Sequence, residues 1–208
     1  MNSVPDMRDH WWWRPGWAVG RSFYTWHITF EGNAGASSLV RHYAPLLDNF
    51  RQLDQVGIAG LHLTVQGLGF ADEVSIEDAN LIAVASRHRL ALLEPFSVRI
   101  GPAHIDPETV QMHVAPTEPL NEVRLVLREA IAEVWGHANV PEREEKFQPH
   151  VTLAYSNAEW SSESLASALA GFPPLSVTMS VDRVSLINLN RDRKRYEWVE
   201  LSSVSIGR

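Results

Sequence analysis

The sequence of 208 residues contains no cysteine, and this absence removes several kinds of chemistry from consideration. Disulfide bonds, thiolate catalysis and a cysteine-built zinc site are excluded. The chain also lacks an apolar run long enough to span a bilayer, and its first residues lack the hydrophobic region of a secretion signal. We therefore expect a cytoplasmic protein with no membrane association.

Positive charge is scarce as well. The chain has 18 Lys and Arg residues against 25 Asp and Glu residues, for a net charge of −7. Because affinity for long nucleic acids comes from neutralising many phosphates, this balance disfavours a general nucleic-acid-binding protein. If the ligand is RNA, we expect an end or a short fragment. With 45% hydrophobic residues, the chain can build one substantial core or two small lobes.

One short pattern, His-x-Thr, occurs in two similar apolar and β-prone surroundings. The first copy is His62-Leu63-Thr64-Val65 and the second is His150-Val151-Thr152-Leu153. Alternate side chains of a strand share a face, so each copy presents one imidazole and one hydroxyl on the same side. Two such strands set side by side would form a pocket with two imidazoles and two hydroxyl groups.

These side chains suit phosphoryl chemistry. Imidazole has the side-chain pKa nearest neutrality, so a pair of histidines can act together as base and acid. The hydroxyl groups can hold phosphoryl oxygens between them. A single copy of the pattern is more often a structural histidine, and His27-Ile28-Thr29 is a third copy. The copies at 62 and 150 are distinguished by a preceding turn or breaker, such as Gly60 or Pro149.

The second copy belongs to a longer motif, Phe147-Gln148-Pro149-His150-Val151-Thr152-Leu153. Together with the first copy, it resembles the two-histidine phosphoesterases, specifically the bacterial 2′-5′ RNA ligase-like (LigT-like) family. The resemblance covers roughly residues 22–206. It does not extend to a Trp-rich segment at the N-terminus, which contains four tryptophans in residues 11–17.

The resemblance and the hydrophobic periodicity together predict an α+β fold. We expect two lobes related by a pseudo-twofold axis, with largely antiparallel sheets, outer helices and the two His-x-Thr strands facing a central cleft. Apolar spacing predicts strands at 23–30, 96–103, 109–115, 184–190 and 196–204, and helices at 36–53, 77–91, 120–135 and 162–169. Residues 1–21 are interpreted as an arm that packs on a sheet or covers an opening, with a base-stacking platform as the alternative. Residues 22–208 are interpreted as a single two-lobed domain.

The resemblance implies an enzyme that hydrolyses 2′,3′-cyclic phosphates of RNA ends or small nucleotides. It requires no metal and no cofactor, and it could run in reverse as a 2′-5′ RNA ligase. His62 and His150 would be catalytic, and Thr64 and Thr152 would bind the phosphoryl oxygens. Which histidine is the base stays open, and we expect a monomer.

Three further residues are candidates for substrate binding. Tyr24 and Trp26 lie on the first predicted strand and could stack a base. Arg193 belongs to a basic cluster, residues 191–195, which is either a solvated turn or a phosphate-steering loop at the mouth of the cleft.

Two other functions remain open at this point. The same fold could bind a phosphate or an RNA end without turning it over. Alternatively, His27, His62 and His150 could form the three-histidine site of a zinc hydrolase, although His-x-Thr is not the usual spacing of zinc ligands.

Overall fold

A computed structural model describes residues 6–142 and 147–207, which form nine strands and four α-helices. The strands are β1 (Phe23–Thr29), β2 (Leu53–Gln55), β3 (His62–Phe70), β4 (Phe96–Asp106), β5 (Thr109–Ala115), β6 (His150–Ser156), β7 (Val177–Val181), β8 (Arg183–Asn190) and β9 (Glu197–Ser205). The helices are α1 (Ala34–Leu47), α2 (Ile76–Leu90), α3 (Glu118–Trp135) and α4 (Glu163–Ala170).

The strands form two antiparallel sheets, one in each lobe. The first has the order β3-β1-β8-β9 and the second β2-β6-β5-β4-β7. Helices α2 and α3 pack on each other and against β9 and β3, whereas α1 and α4 contact the second sheet. The predicted α+β fold with two largely antiparallel lobes is therefore confirmed. The first sheet contains the His62 copy of the motif in β3 and the second sheet contains the His150 copy in β6, and these two strands contact each other across the junction.

Most of the predicted elements are present, with shifted ends. Ser75 caps α2, its hydroxyl accepting a hydrogen bond from Asp78 N at 3.0 Å. The helix predicted over 36–53 ends instead at Leu47. Leu53 continues the apolar spacing but belongs to β2, where it pairs with Ser156. Apolar periodicity alone cannot separate a helix from a short strand that follows it at the same spacing.

Both His-x-Thr strands carry a bulge at the same place. In β3, His27 pairs with Thr64 but Trp26 pairs with Gln66, so Val65 has no partner. In β6 the register likewise skips the residue after the motif threonine. One extra residue reverses the alternation of faces beyond it, so the third residue after each threonine shares that threonine's face. The shared bulge gives the two motif strands the same local geometry.

Residues 6–22 contact both sheets, the first through the Trp17 ring, which lies against Phe23 and Phe70, and the second through Trp11. Met7 is 1% exposed and forms a β-bridge with Trp160, and the Trp11 indole donates to Asp54 Oδ2 at 2.8 Å. Trp12 and Trp13 are exposed. Within the described residues, no helix is long and apolar enough to cross a membrane.

Candidate active site

The two motifs meet in one cleft between the sheets, with a volume of about 800 Å³. His62 and Thr64 line it from β3, and His150 and Thr152 line it from β6. The alternation of strand faces, read from the sequence, thus brings all four side chains to the same cavity.

Both motif histidines are anchored in the same way. His62 Nδ1 lies 2.8 Å from Gly60 O, and His150 Nδ1 lies 2.9 Å from Gln148 O. A carbonyl oxygen can only accept a hydrogen bond, so each Nδ1 must carry a proton and donate it. In the neutral form of each ring, Nε2 then holds the lone pair. The anchor lies two residues before the histidine in both motifs, so the two rings have the same tautomer.

The surroundings of His62 favour its neutral form. Its ring stacks on the ring of His27, with centroids 4.4 Å apart and planes inclined by 3°. The pKa of His62 is lowered to about 4, mainly by burial; the Gly60 hydrogen bond opposes this shift and the charge of His150 adds to it. At neutral pH, His62 therefore offers a free lone pair on Nε2.

His27 contacts both the histidine and the threonine of the first motif. It is 1% exposed, and burial together with His62 holds its pKa well below the ordinary value. Its Nε2 lies 3.1 Å from Thr64 Oγ1, while its Nδ1 has no hydrogen-bond partner among the described residues. A proton on Nδ1 would leave a buried donor unpaired, so the favoured tautomer carries it on Nε2 and donates to Thr64. The Thr64 hydroxyl proton is then free to point into the cleft.

The second motif has a different set of neighbours. His150 is exposed and pairs in register with His113 on β5, whose ring stacks on His104 at 3.7 Å. Thr152 is only 5% exposed, although it lines the cleft. The two motifs therefore differ in which member is the more buried, the histidine in β3 and the threonine in β6.

The three supporting residues proposed from sequence lie elsewhere. Trp26 is fully buried and Tyr24 is 7% exposed, both in the hydrophobic core, because the alternate face of β1, with Thr25 and His27, looks into the cleft. Arg193 does not line the cleft and forms an ion pair with Glu197. These corrections remove all three residues from the candidate site.

Sequence reasoning missed a group at the other end of the cleft. The cleft is also lined there by His10 and Arg14 from the N-terminal segment, by Glu108 from the β4–β5 turn, and by Tyr155 and Arg191. Tyr155 faces the cleft because of the bulge in β6, which strict alternation does not anticipate. Arg191 could have been singled out only as a member of its basic cluster.

The stacked geometry of His27 and His62 bears on the three-histidine interpretation. Because the two rings are stacked in parallel, their nitrogens do not point at one common position. In addition, His27 Nε2 is already hydrogen-bonded to Thr64 Oγ1. Within residues 6–142 and 147–207, no group of three or more His, Asp or Glu side chains is placed to hold one metal ion.

Comparison with solved structures identifies the class of fold. A protein of Thermus thermophilus is 24% identical, with a TM-score of 0.67 over 89% of this chain and 97% of its own. Escherichia coli LigT in complex with 3′-AMP is 17% identical, with a TM-score of 0.66 over 90% and 99%. The phosphodiesterase domain of MHV ns2 is 10% identical, with a TM-score of 0.58 over 81% and 99%. This is the fold of LigT and related phosphoesterases.

The family follows from the sequence. Residues 40–193 match the model of the 2′-5′ RNA ligase superfamily, so the chain belongs to that superfamily of two-histidine phosphoesterases. No curated protein matches the sequence. Membership makes the protein a phosphoesterase or ligase by class, and it does not identify the substrate or the roles of individual residues.

Proposed function

We propose that the protein is a metal-independent phosphodiesterase that hydrolyses 2′,3′-cyclic phosphates by paired-histidine acid–base catalysis. The observation that carries the proposal is the matched anchoring of the two motif histidines. Each Nδ1 donates to the carbonyl two residues earlier, so each Nε2 is the atom that exchanges a proton in the cleft. Two imidazoles that both have Nε2 free of the backbone anchor are what base and acid catalysis on one phosphate requires.

The difference in burial between the two histidines supports a division of roles between them. His62 has its pKa lowered to about 4 by burial, so its Nε2 takes the proton of the attacking water. The water oxygen bonds to phosphorus while the bond to one ribose oxygen breaks. Protonated His150 gives its Nε2 proton to that leaving oxygen. The product is a 2′- or 3′-monophosphate, and the two histidines have exchanged their protonation states.

The two threonines stabilise charge on the phosphoryl group. Thr64 has a free hydroxyl proton because His27 donates to its oxygen. Thr152 lines the same cleft from β6. Hydroxyl donors placed for the non-bridging oxygens lower the barrier without titrating. With a ribose 5′-hydroxyl in place of water as the nucleophile and the 3′-oxygen as the leaving group, the same groups would open the cyclic phosphate to give a 2′-5′ linkage.

Small nucleotides or RNA ends are the proposed ligands. Structures of E. coli LigT contain 3′-AMP, ATP, NADP⁺ or phosphate. The net charge of −7 disfavours extended nucleic acid for this chain. That it acts as a monomer in the cytoplasm stays a prediction.

The direct test is incubation with adenosine 2′,3′-cyclic phosphate in EDTA, with chromatographic identification of the product. We expect one monophosphate isomer and an unchanged rate in chelator. His88→Ala is a matched control, because His88 is exposed on α2 outside the cleft. Binding without any product would favour the non-catalytic phosphate-binding function. A rate that collapsed in EDTA and returned with zinc would favour the metal-dependent alternative.

A further inference from the structure

An arginine lies buried at the end of the cleft, where it faces the cavity. Arg191 directly follows β8 and is 3% exposed, yet it lines the cleft. Its Nη2 donates to His10 O at 2.8 Å and to Trp12 O at 3.4 Å. In the part of the chain that the structure describes, no carboxylate forms a salt bridge with it. A buried charge is costly unless an opposite charge meets it, so such a guanidinium facing a cavity indicates an anion-binding position.

Aromatic rings hold Arg191 in place. Its guanidinium carbon lies 5.5 Å from the Trp11 ring centroid, 5.8 Å from Trp17 and 5.9 Å from Tyr196. Such contacts stabilise a cation without neutralising it. Burial lowers the pKa of Arg191 below its ordinary value, and the like charge of Arg14 acts in the same direction. Arginine nevertheless stays protonated in proteins, so the group is fixed in position and retains its charge for a ligand.

A second arginine faces the same end of the cleft. Arg14 donates to Glu108 Oε2, but its Nε is buried and has no hydrogen-bond partner among the described residues. We call Arg14, Arg191 and Glu108 the arginine subsite. Burial alone would raise the pKa of Glu108, but Arg14, Trp12 and His10 hold it below its ordinary value. The subsite thus has two guanidinium groups and one carboxylate.

The remaining titratable groups do not cancel this charge. His10 contacts Glu108 and the Tyr196 hydroxyl, and burial together with the two arginines lowers its pKa to about 4, so it is neutral at pH 7. Asp106, the last residue of β4, also lines the cleft, but its carboxylate makes no salt bridge with either arginine in the described residues. Tyr155 and Tyr196 have pKa values raised by burial and stay neutral. The arginine subsite carries one net positive charge.

The Tyr196 ring contacts both the arginine subsite and the motif histidine His62. The Tyr196 ring centroid is 5.8 Å from the His62 ring centroid and 5.9 Å from the Arg191 guanidinium carbon. One ligand in the cleft can therefore reach both the motif histidines and the arginines. The N-terminal segment supplies Arg14 and the two carbonyl groups that orient Arg191, so this segment helps to build the subsite.

We propose that the arginine subsite binds a second phosphoryl group of the substrate, which makes the preferred substrate a cyclic phosphate that carries another phosphate. This rests on the proposed function of the same cleft. The second group could be a 5′-phosphate on the same nucleoside or the internucleotide phosphodiester of an RNA end. Guanidinium groups suit both ligands, because a phosphomonoester and a phosphodiester each present at least two oxygens that share negative charge and can accept paired hydrogen bonds.

The test measures binding, so that it does not depend on turnover. Calorimetric titration at low salt compares 3′-AMP with adenosine 3′,5′-bisphosphate and with the dinucleotide ApAp, which has one phosphodiester and a 3′-phosphate. We expect at least one of the doubly phosphorylated ligands to bind about tenfold or more tightly than 3′-AMP, the scale of charge-assisted hydrogen bonds. Preference for the bisphosphate would identify a mononucleotide substrate, and preference for ApAp an RNA end. The preference should decrease as salt is added.

Three variants locate the effect. In Arg191→Gln and in Arg14→Gln, the preference should fall to within about threefold. Arg14 is the safer substitution for folding, because its side chain is 37% exposed. Arg183→Gln is the matched control, since Arg183 is exposed at the opposite end of β8, and it should keep the full preference. Equal binding of all three ligands by the unmodified protein, or a preference that survives both cleft substitutions, would overturn the proposal.

Failure of the subsite and failure of the proposed function give different results. Hydrolysis of adenosine 2′,3′-cyclic phosphate without any preference for a second phosphate overturns the subsite alone. A clear preference with no hydrolysis of any cyclic phosphate overturns the catalytic function alone, and the cleft would then be a binding site for doubly phosphorylated nucleotides.

Discussion

The two His-x-Thr strands share a sequence pattern, a bulge and a backbone anchor, but they differ in burial. In β3, His62 is half-buried against His27, and Thr64 is exposed. In β6 the order is reversed, since His150 is exposed and Thr152 is 5% exposed. The common features place four side chains in one cleft, and the differences give the two histidines and the two threonines different exposures. In the proposed mechanism, the repeated motif provides a base on one side and an acid on the other.

The largest effect should come from removing either imidazole. General acid–base groups contribute about 10²–10⁴-fold each, so His62→Ala and His150→Ala should each lose activity on that order in kcat/KM. The double variant should fall little further than either single variant, because residues that act as a unit are not additive. Steady-state kinetics on a 2′,3′-cyclic nucleotide measure this.

Near-normal turnover in a well-folded single variant would contradict the paired mechanism, since one motif histidine would then be enough for catalysis. Circular dichroism spectra that match the unmodified protein would show that each variant is folded. His88→Ala again provides the baseline for loss of an imidazole outside the cleft.

The threonines should show the next largest effect. Loss of one preorganised donor can cost roughly 2.7–4 kcal/mol in transition-state stabilisation, and two donors that share one phosphate should each lie near the lower end. Thr64→Ala and Thr152→Ala should lower the maximum of the pH–rate profile and leave its limbs nearly in place, because neither group titrates. A limb that moved by a full pH unit in Thr64→Ala would show instead that Thr64 acts through His62.

The free energy of unfolding should depend on pH because of the buried histidines. Burial lowers the pKa of His62 and of His10 to about 4, and holds that of His27 well below its ordinary value. The unfolded chain binds these protons at about pH 6.5. The stabilisation is thus present above pH 6.5 and is lost as the pH falls towards 4, by a few kcal/mol in the free energy of unfolding. Urea unfolding at pH 7 and pH 4.5 measures it, and His10→Gln should reduce the difference.

His27 should have the smallest effect on turnover, although it begins the third copy of the pattern. In His27→Gln the amide can still donate to Thr64, so we expect turnover within roughly tenfold, or about 1.4 kcal/mol. His27→Phe keeps a ring against His62 but leaves Thr64 without its donor, and should lose more than the glutamine variant. A loss in His27→Gln as deep as in His150→Ala would make His27 a participant in the chemistry.

The sequence predicted those parts of the molecule that depend on local patterns. Strand alternation placed His62, Thr64, His150 and Thr152 on one side, and the structure gathers them in a single cleft. Which side of β1 faces the cleft depends on how the sheet packs, so the roles of Tyr24 and Trp26 could not be read from alternation alone. The β6 bulge turned Tyr155 into the cleft for a reason that only pairing with β5 reveals.

Long-range contacts were beyond the reach of sequence patterns. Arg14 and Glu108 are 94 positions apart in the sequence, and no motif predicts their ion pair. Arg191 and Arg193 look equivalent in the basic cluster, yet one is buried in the cleft and the other pairs with Glu197 at the surface. The N-terminal segment distinguishes them, because its backbone carbonyls hold Arg191 in place.

The most direct test of the account is an NMR titration of the two motif imidazoles with ¹⁵N-labelled histidine, assigned with the two alanine variants. The shared anchors predict that His62 and His150 both carry a proton on Nδ1 when neutral. Burial predicts that His62 is neutral at pH 7 and titrates at about 4. An Nε2-protonated tautomer in either ring, or a His62 that titrates at its ordinary value, would contradict the assignment of His62 as the base.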